Sequence, residues 1–197
     1  MAASPDTSER NASEAMQPHP AAGTVERVTE LSDDDLNALC EAAHSAIIDG
    51  GGFGWVTPPG RGALESYFRG ILLVPERELF VARLNDLIVG SAQLVRPPRN
   101  NEAQAFAAHL MHAFIAPYAR GHGLARLLTR RVEESARALG YHVLNLDVRE
   151  TQEVAIRMYE RMDYVRWGCH PHYARVNGQA VRGYYYYKLL KPRDRKG

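Results

Sequence analysis

The run Ile115-Ala116-Pro117-Tyr118-Ala119-Arg120-Gly121-His122-Gly123-Leu124-Ala125 changes character twice. It begins as the end of an apolar strand read over residues 105–116, and Pro117, with no N–H for a strand ladder, closes it. A glycine-containing loop then opens into a helix. Leu124, Leu127, Leu128, Val132 and Leu139 recur along one face of that helix, and Gly140 suits its C-cap. Such a loop presents several backbone N–H groups at a helix N-terminus, where the peptide dipoles favour an anion such as a pyrophosphate. Gly121 and Gly123 allow the backbone to approach that anion with no side chain in the way. A Gly-x-Gly alone is equally an ordinary strand-to-helix turn, so the flanking sequence must decide.

Downstream of this helix, Tyr141-His142-Val143-Leu144-Asn145-Leu146-Asp147-Val148 reads as an inner strand, and Val154, Ile156, Met158 and Tyr159 lie on a further helix. Residues 164–175 and 182–190 are two closing strands around an Asn177-Gly178 turn. Upstream, Ser32 caps a helix carrying Leu36, Leu39, Ala43 and Ile47, which three glycines from Gly50 terminate. A second helix is predicted over residues 63–73, stopped by Pro75. Two strands, residues 78–83 and 87–95, meet at Asn85-Asp86 as an antiparallel hairpin. The order is a helix pair, antiparallel strands, helix, strand, helix and two strands, which describes a mixed α/β sheet layered with helices.

The 197 residues suit one domain, residues 24–197, behind a polar N-terminal tail, residues 1–23, expected to be disordered. A formal net charge of +1 gives no reason to expect nucleic-acid binding, and no apolar run is long enough for a membrane span. The N-terminus has no apolar signal core, and Cys40 and Cys169 are expected to be free thiols, so the expected compartment is the cytoplasm.

Beyond these readings, the chain resembles the GCN5-related N-acetyltransferase (GNAT) family. Its signature is Arg or Gln, two residues, Gly, one residue, then Gly or Ala. Arg120, Gly123 and Ala125 match it, behind the hydrophobic-x-Pro of Ile115 and Pro117. Ala155-Ile156-x-x-Tyr159-Glu160 also fits, and the resemblance spans roughly residues 78–190. It implies a central, mostly antiparallel mixed sheet of about six to seven strands with helices on both faces. It also implies acetyl-CoA as co-substrate and an amine, small-molecule or protein-borne, as acceptor. The stretch from Gln93 to Asn101 gives the chain the look of small-molecule acetyltransferases of the tabtoxin-resistance type. A homodimer is an open alternative to a monomer.

The resemblance places acetyl-CoA in a cleft where the strand ending at Ile115 splays from the strand ending at Val148. Backbone N–H groups of Gly121, His122, Gly123, Leu124 and Ala125 would meet the pyrophosphate, beside the signature Arg120, and Phe114 and Ile115 would offer strand edges to the pantetheine. Arg126 and Arg130, four residues apart, either attract CoA phosphate or form a solvated helix face. Tyr159 matches the tyrosine that holds a hydrogen bond to the departing thiolate. Full proton donation is uphill by about 2 kcal/mol from ordinary phenol and thiol values. Two departures stand out: Gln152 replaces the usual Asn before this helix, and Asp163-Tyr164 replaces the usual Gly-Phe after it.

An amine attacks only when neutral, which costs about 4.6 kcal/mol at pH 7 for an ordinary primary amine. A histidine could supply the base. His109 lies six residues before Ile115, an even interval that puts both on one strand face and matches where several family members carry a Glu or His base; His112 has the opposite parity. Glu102 is the acidic alternative, and a water chain would serve without either. Cys169-His170-Pro171-His172 has no fourth ligand in view, and no metal is expected. Tyr184 to Tyr187 border the acceptor pocket or an oligomer interface. The competing readings are a non-catalytic acyl-CoA-binding or regulatory domain of the same fold and a nucleotide module. The second lacks the Lys-Ser/Thr that would follow a phosphate loop's last glycine.

Overall fold

Helix α1 (Asp33–Ile48) starts where its sequence says it should: the Ser32 hydroxyl accepts the Asp35 N–H at 3.1 Å, with three aspartates in the first turn. Its buried stripe, including Leu36, Leu39, Ala43 and Ile47, meets that of α2 (Arg61–Leu72), where Leu64, Phe68 and Ile71 are buried. The computed structural model describes residues 23–51 and 54–190. The expected disordered tail therefore lies outside the described residues, except that Gly23 already belongs to a strand, β1 (Gly23–Val28), which the sequence reading missed.

β2 (Arg77–Leu84) and β3 (Leu87–Val95) form the expected hairpin, with Asn85 and Asp86 both at positive φ (50° and 66°). β4 (Ala107–Ile115) follows, then α3 (Leu124–Ala138), β5 (Val143–Arg149), α4 (Glu153–Arg161), β6 (Val165–Val176) and β7 (Gln179–Leu189). The sheet order is β1-β2-β3-β4-β5-β7-β6, and every neighbour pair is antiparallel except β4 with β5.

Helices cover both faces. Leu124, Leu128, Val132 and Ala136 of α3 and Tyr159 of α4 join one core with Phe80, Leu110, Leu144 and Tyr186. α1 and α2 build a second core on the other face with Leu79, Val81, Ile88 and Phe114.

α4 ends in a left-handed turn despite lacking glycine there. Asp163 takes φ 65°, its N–H bonds Glu160 C=O at 3.2 Å, and the Tyr164 N–H bonds Tyr159 C=O at 3.1 Å. The Asp163-Tyr164 departure thus keeps the turn geometry.

Candidate active site

β4 and β5 pair only over Ala107–His109 against Val143–Asn145. Beyond those residues they separate, because β4 is carried off by a bulge. Between the pairs Ser91↔Phe114 and Gln93↔Met111, β4 spends one residue more than β3, and His112 sits at φ 50°. The separation opens a cavity of about 400 Å³. Its walls are residues 110–113 of β4, residues 146–149 of β5, Gln152, Ala155 and Tyr159 at the start and along one side of α4, and Tyr173, Ala174 and Arg175 of β6; Gly54 and Val56 cover one side.

The bulge corrects the parity argument for a base. Leu110 and Ile115, five residues apart, belong to the same core, whereas Phe114 packs in the other. His109 therefore faces away from Ile115's side; it is exposed and does not line the cavity. Glu102 is exposed in a single 3₁₀ turn before β4, at the end of the strand opposite to the cleft. The imidazole that lines the cavity is His112, whose ring the extra residue re-aims. No pattern in the sequence announces such a bulge.

At the C-terminal end of β4 the chain turns as expected. Ala116 N–H bonds Val89 C=O at 2.8 Å, and a 3₁₀ turn over Pro117–Ala119 follows. Gly121 and Gly123 both take positive φ (86° and 73°), and Gly123 is the N-cap of α3. A Cβ at either glycine would meet no protein atom within 4 Å, so both backbones face open space. The Leu127 N–H makes a bond to Gly123 C=O, which leaves the N–H groups of Leu124, Ala125 and Arg126 with no intrahelical acceptor. This arrangement fits a pyrophosphate. The Arg120 side chain turns elsewhere, pairing with Asp49 at the end of α1 at 2.6 Å. His122 Nδ1 donates to the Arg120 and Ala119 carbonyls at 3.1 and 3.2 Å and so braces the loop from within. Arg126 and Arg130 are exposed on the first turns of α3.

Tyr159 is buried, its ring edge-on to Tyr164 with centroids 5.5 Å apart. Burial, with the Asp147 carboxylate adding to it, holds its phenol well above the usual range. Gln152 reaches the wall, but its Nε2 donates to Gly50 C=O at 2.7 Å; Arg149 Nη2 donates beside it to Gly51 C=O at 2.8 Å. Both side chains hold the segment after α1 against β5 and α4. Asp147, which the sequence reading did not single out, supplies a carboxylate to the cavity and accepts a hydrogen bond from the Tyr173 hydroxyl. Its place beside Leu144 and Leu146 in an alternating strand was the available signal.

The family model for the acetyltransferase (GNAT) family matches residues 52–164, spanning the cleft, the glycine loop and α4. The chain belongs to the GNAT acetyltransferase family. An uncharacterized N-acetyltransferase of Azospirillum brasilense, from the hisH-hisA intergenic region, is 64% identical to this acetyltransferase over 129 residues, 66% of this chain and 77% of that one. Two solved structures share the fold. A Sinorhizobium meliloti phosphinothricin acetyltransferase in complex with AcCoA has TM-score 0.71 at 18% identity, covering 88% of this chain and 94% of that one. A Brucella melitensis ribosomal-protein-alanine N-acetyltransferase has TM-score 0.71 at 20% identity, covering 85% and 99%. Relatives named N-acetyltransferases favour an acetyl-CoA-dependent acyltransferase over a non-catalytic acyl-CoA-binding domain of the same fold.

Proposed function

We propose that this acetyltransferase moves the acetyl group of acetyl-CoA onto the primary amine of a small molecule, by direct attack with both substrates bound. The observation that carries this reading is the meeting of three features at one end of β4. These are the cleft between β4 and β5, the N–H groups at the start of α3, and the Tyr159 side chain in the cleft wall.

In this reading the N–H groups of residues 121–125 hold the pyrophosphate, and Arg126 adds positive charge nearby. β4 beyond His109, including Phe114 and Ile115, offers its backbone to the pantetheine where β5 has left it. Tyr159 donates a hydrogen bond to the departing sulfur. A phenol raised by burial is a poor proton source, so the sulfur's proton comes from elsewhere. Asp147 is the cavity's carboxylate and draws the cationic amine before its proton is lost to water.

Solved neighbours are named for both kinds of acceptor, phosphinothricin for one and a ribosomal-protein alanine for the other. A cavity of about 400 Å³ with Asp147 and Arg175 in its walls suits a compact polar amine better than a folded protein surface. The compartment we infer is the cytosol, where thiols such as Cys40 and Cys169 stay reduced.

Calorimetric titration tests the co-substrate: acetyl-CoA binds, whereas ATP and NAD do not. CoA release across a panel of small amines then finds the acceptor, and Tyr159→Phe lowers kcat about 10²-fold while leaving acetyl-CoA affinity within a few-fold. A folded protein that does not bind acetyl-CoA would overturn the reading, and an unchanged kcat in the variant would remove Tyr159 from it.

A further inference from the structure

Arg77, Gln93, Tyr67 and His112 form a chain of hydrogen bonds that runs in one direction. A guanidinium only donates, so the Gln93 atom 2.8 Å from Arg77 Nη1 is the amide oxygen. That fixes the orientation of the amide. Its Nε2 lies at the other end and donates to the Tyr67 hydroxyl oxygen at 2.8 Å. Tyr67, having accepted, directs its own hydrogen to His112 Nδ1, 2.7 Å away. Gln93 Nε2, which can never accept, lies 3.3 Å from the same ring nitrogen. Two donors thus converge on Nδ1. A hydrogen there would oppose the hydrogens of an amide that is fully buried and held by Arg77. Nδ1 is therefore the acceptor, and the neutral ring carries its hydrogen on Nε2, the edge away from Tyr67.

We infer that His112 serves the cavity as a hydrogen-bond donor through Nε2–H, to an oxygen of one of the two substrates, and not as the base that takes the amine's proton. A base needs its lone pair on the side of the substrate. Here the lone pair is turned inward, where Tyr67 holds it. A second proton on the ring is also disfavoured. Burial, then the Arg77 cation, lower the basicity of His112, and Asp147 opposes them. Among the described residues, the Tyr67 hydroxyl and the Gln93 amide meet the ring, and the charges that act on it are the Arg77 guanidinium of β2 and the Asp147 carboxylate of β5, one of each sign. A neutral imidazole that donates needs no change of protonation during turnover. Tyr67, Gln93 and Arg77 are then positioning residues that set its tautomer.

The catalytic half of this inference rests on the acetyl-transfer reading; the tautomer does not. Long-range proton–nitrogen correlation spectra of the substrate-free protein, labelled with ¹⁵N-histidine near neutral pH, read the tautomer directly. His112→Gln identifies the signal. Nδ1 is expected in the unprotonated range and Nε2 in the protonated range, with the preference weakened in Tyr67→Phe. A protonated Nδ1 in the neutral ring would overturn the inference. The second arm compares kcat/KM against pH for His112→Gln and His112→Ala. A glutamine amide places an N–H near the position of Nε2–H but cannot act as a base. His112→Gln is expected within about tenfold of the parent with the same pH profile, and His112→Ala about 10²-fold lower. If glutamine is as damaging as alanine, and both abolish a pH limb that the parent shows, His112 is a base and the inference fails. Absence of turnover with every amine would instead sink the acetyl-transfer reading and leave the spectroscopic result standing.

Discussion

Gly183 lies on β7 beneath the ring of Tyr173, and a Cβ at that position would come within 2.1 to 2.5 Å of three ring atoms. The missing side chain is what lets this ring lie flat enough for its hydroxyl to reach Asp147. Burial, then the bond to Asp147, push the Tyr173 phenol well up, so it stays a donor at any working pH. Gly183→Ala should displace the ring, cost about 1–3 kcal/mol of stability, and raise KM for the amine with little change in KM for acetyl-CoA. Tyr173→Phe should reproduce the change in KM while sparing most of the stability. Denaturant unfolding together with steady-state kinetics on the two variants checks both halves. A Gly183→Ala protein with parental amine KM would mean that Asp147 does not need this donor.

At the level of elements, what was legible in the sequence was whatever depends on near neighbours along the chain. The Ser32 cap, the Asn85-Asp86 and Asn177-Gly178 turns, and the glycine loop all rest on local backbone chemistry, and all formed where read. β1 escaped because Gly23–Val28, in which Val25 alone is buried, is an edge strand. It is stabilised by pairing with β2, a partner more than fifty residues away. The bulge in β4 escaped for a related reason. It is defined by the mismatch with β3, so counting along β4 alone put His109 on the face of Ile115 and did not bring His112 to the cavity that it lines. The loop and α4 candidates lie at the cleft or at the helix start beside it, whereas the placement of candidates on β4 depends on sheet register and could not be read along the chain. The turn after α4 offers an element-scale test. Asp163 occupies a left-handed position that glycine takes without a Cβ penalty, offset in part by glycine's greater freedom when unfolded. Asp163→Gly should therefore stabilise the protein by about 0.5–1 kcal/mol, raising Tm by about 2 °C. A lower Tm would show that the Asp163 side chain contributes more than its backbone strain costs.

Across the whole molecule, Arg83 adds a polar tie between β1, α1 and the β2–β3 hairpin, elements that also share one apolar core. Its two terminal nitrogens bond the two carboxylate oxygens of Asp35 in α1, at 2.7 and 2.8 Å, and its Nε bonds Glu26 of β1 at 2.7 Å. Nη1 also bonds the Asp86 carbonyl in the β2–β3 turn at 3.0 Å. The fork geometry matters more than the charge, since a lysine could not make paired contacts with one carboxylate. The hydrogen bonds from Arg83 hold the Asp35 carboxyl below its ordinary range, against the opposing effect of burial. The sign of the pH dependence follows. A carboxylate whose folded pKa is depressed stabilises the fold fully above its unfolded value, about 3.9. That stabilisation is lost as the pH falls through the lower, folded value. The parent should therefore exceed Asp35→Asn by about 1 kcal/mol at neutral pH, a modest figure because the pair is partly solvated. The gap should narrow steadily below about pH 4. Urea unfolding of both proteins across that range measures it, and Arg83→Lys should behave as Asp35→Asn does. A gap that stayed constant with pH would show that Asp35 acts through helix capping and packing, and that the tie between β1, α1 and the hairpin is held by Glu26 and the Asp86 carbonyl instead.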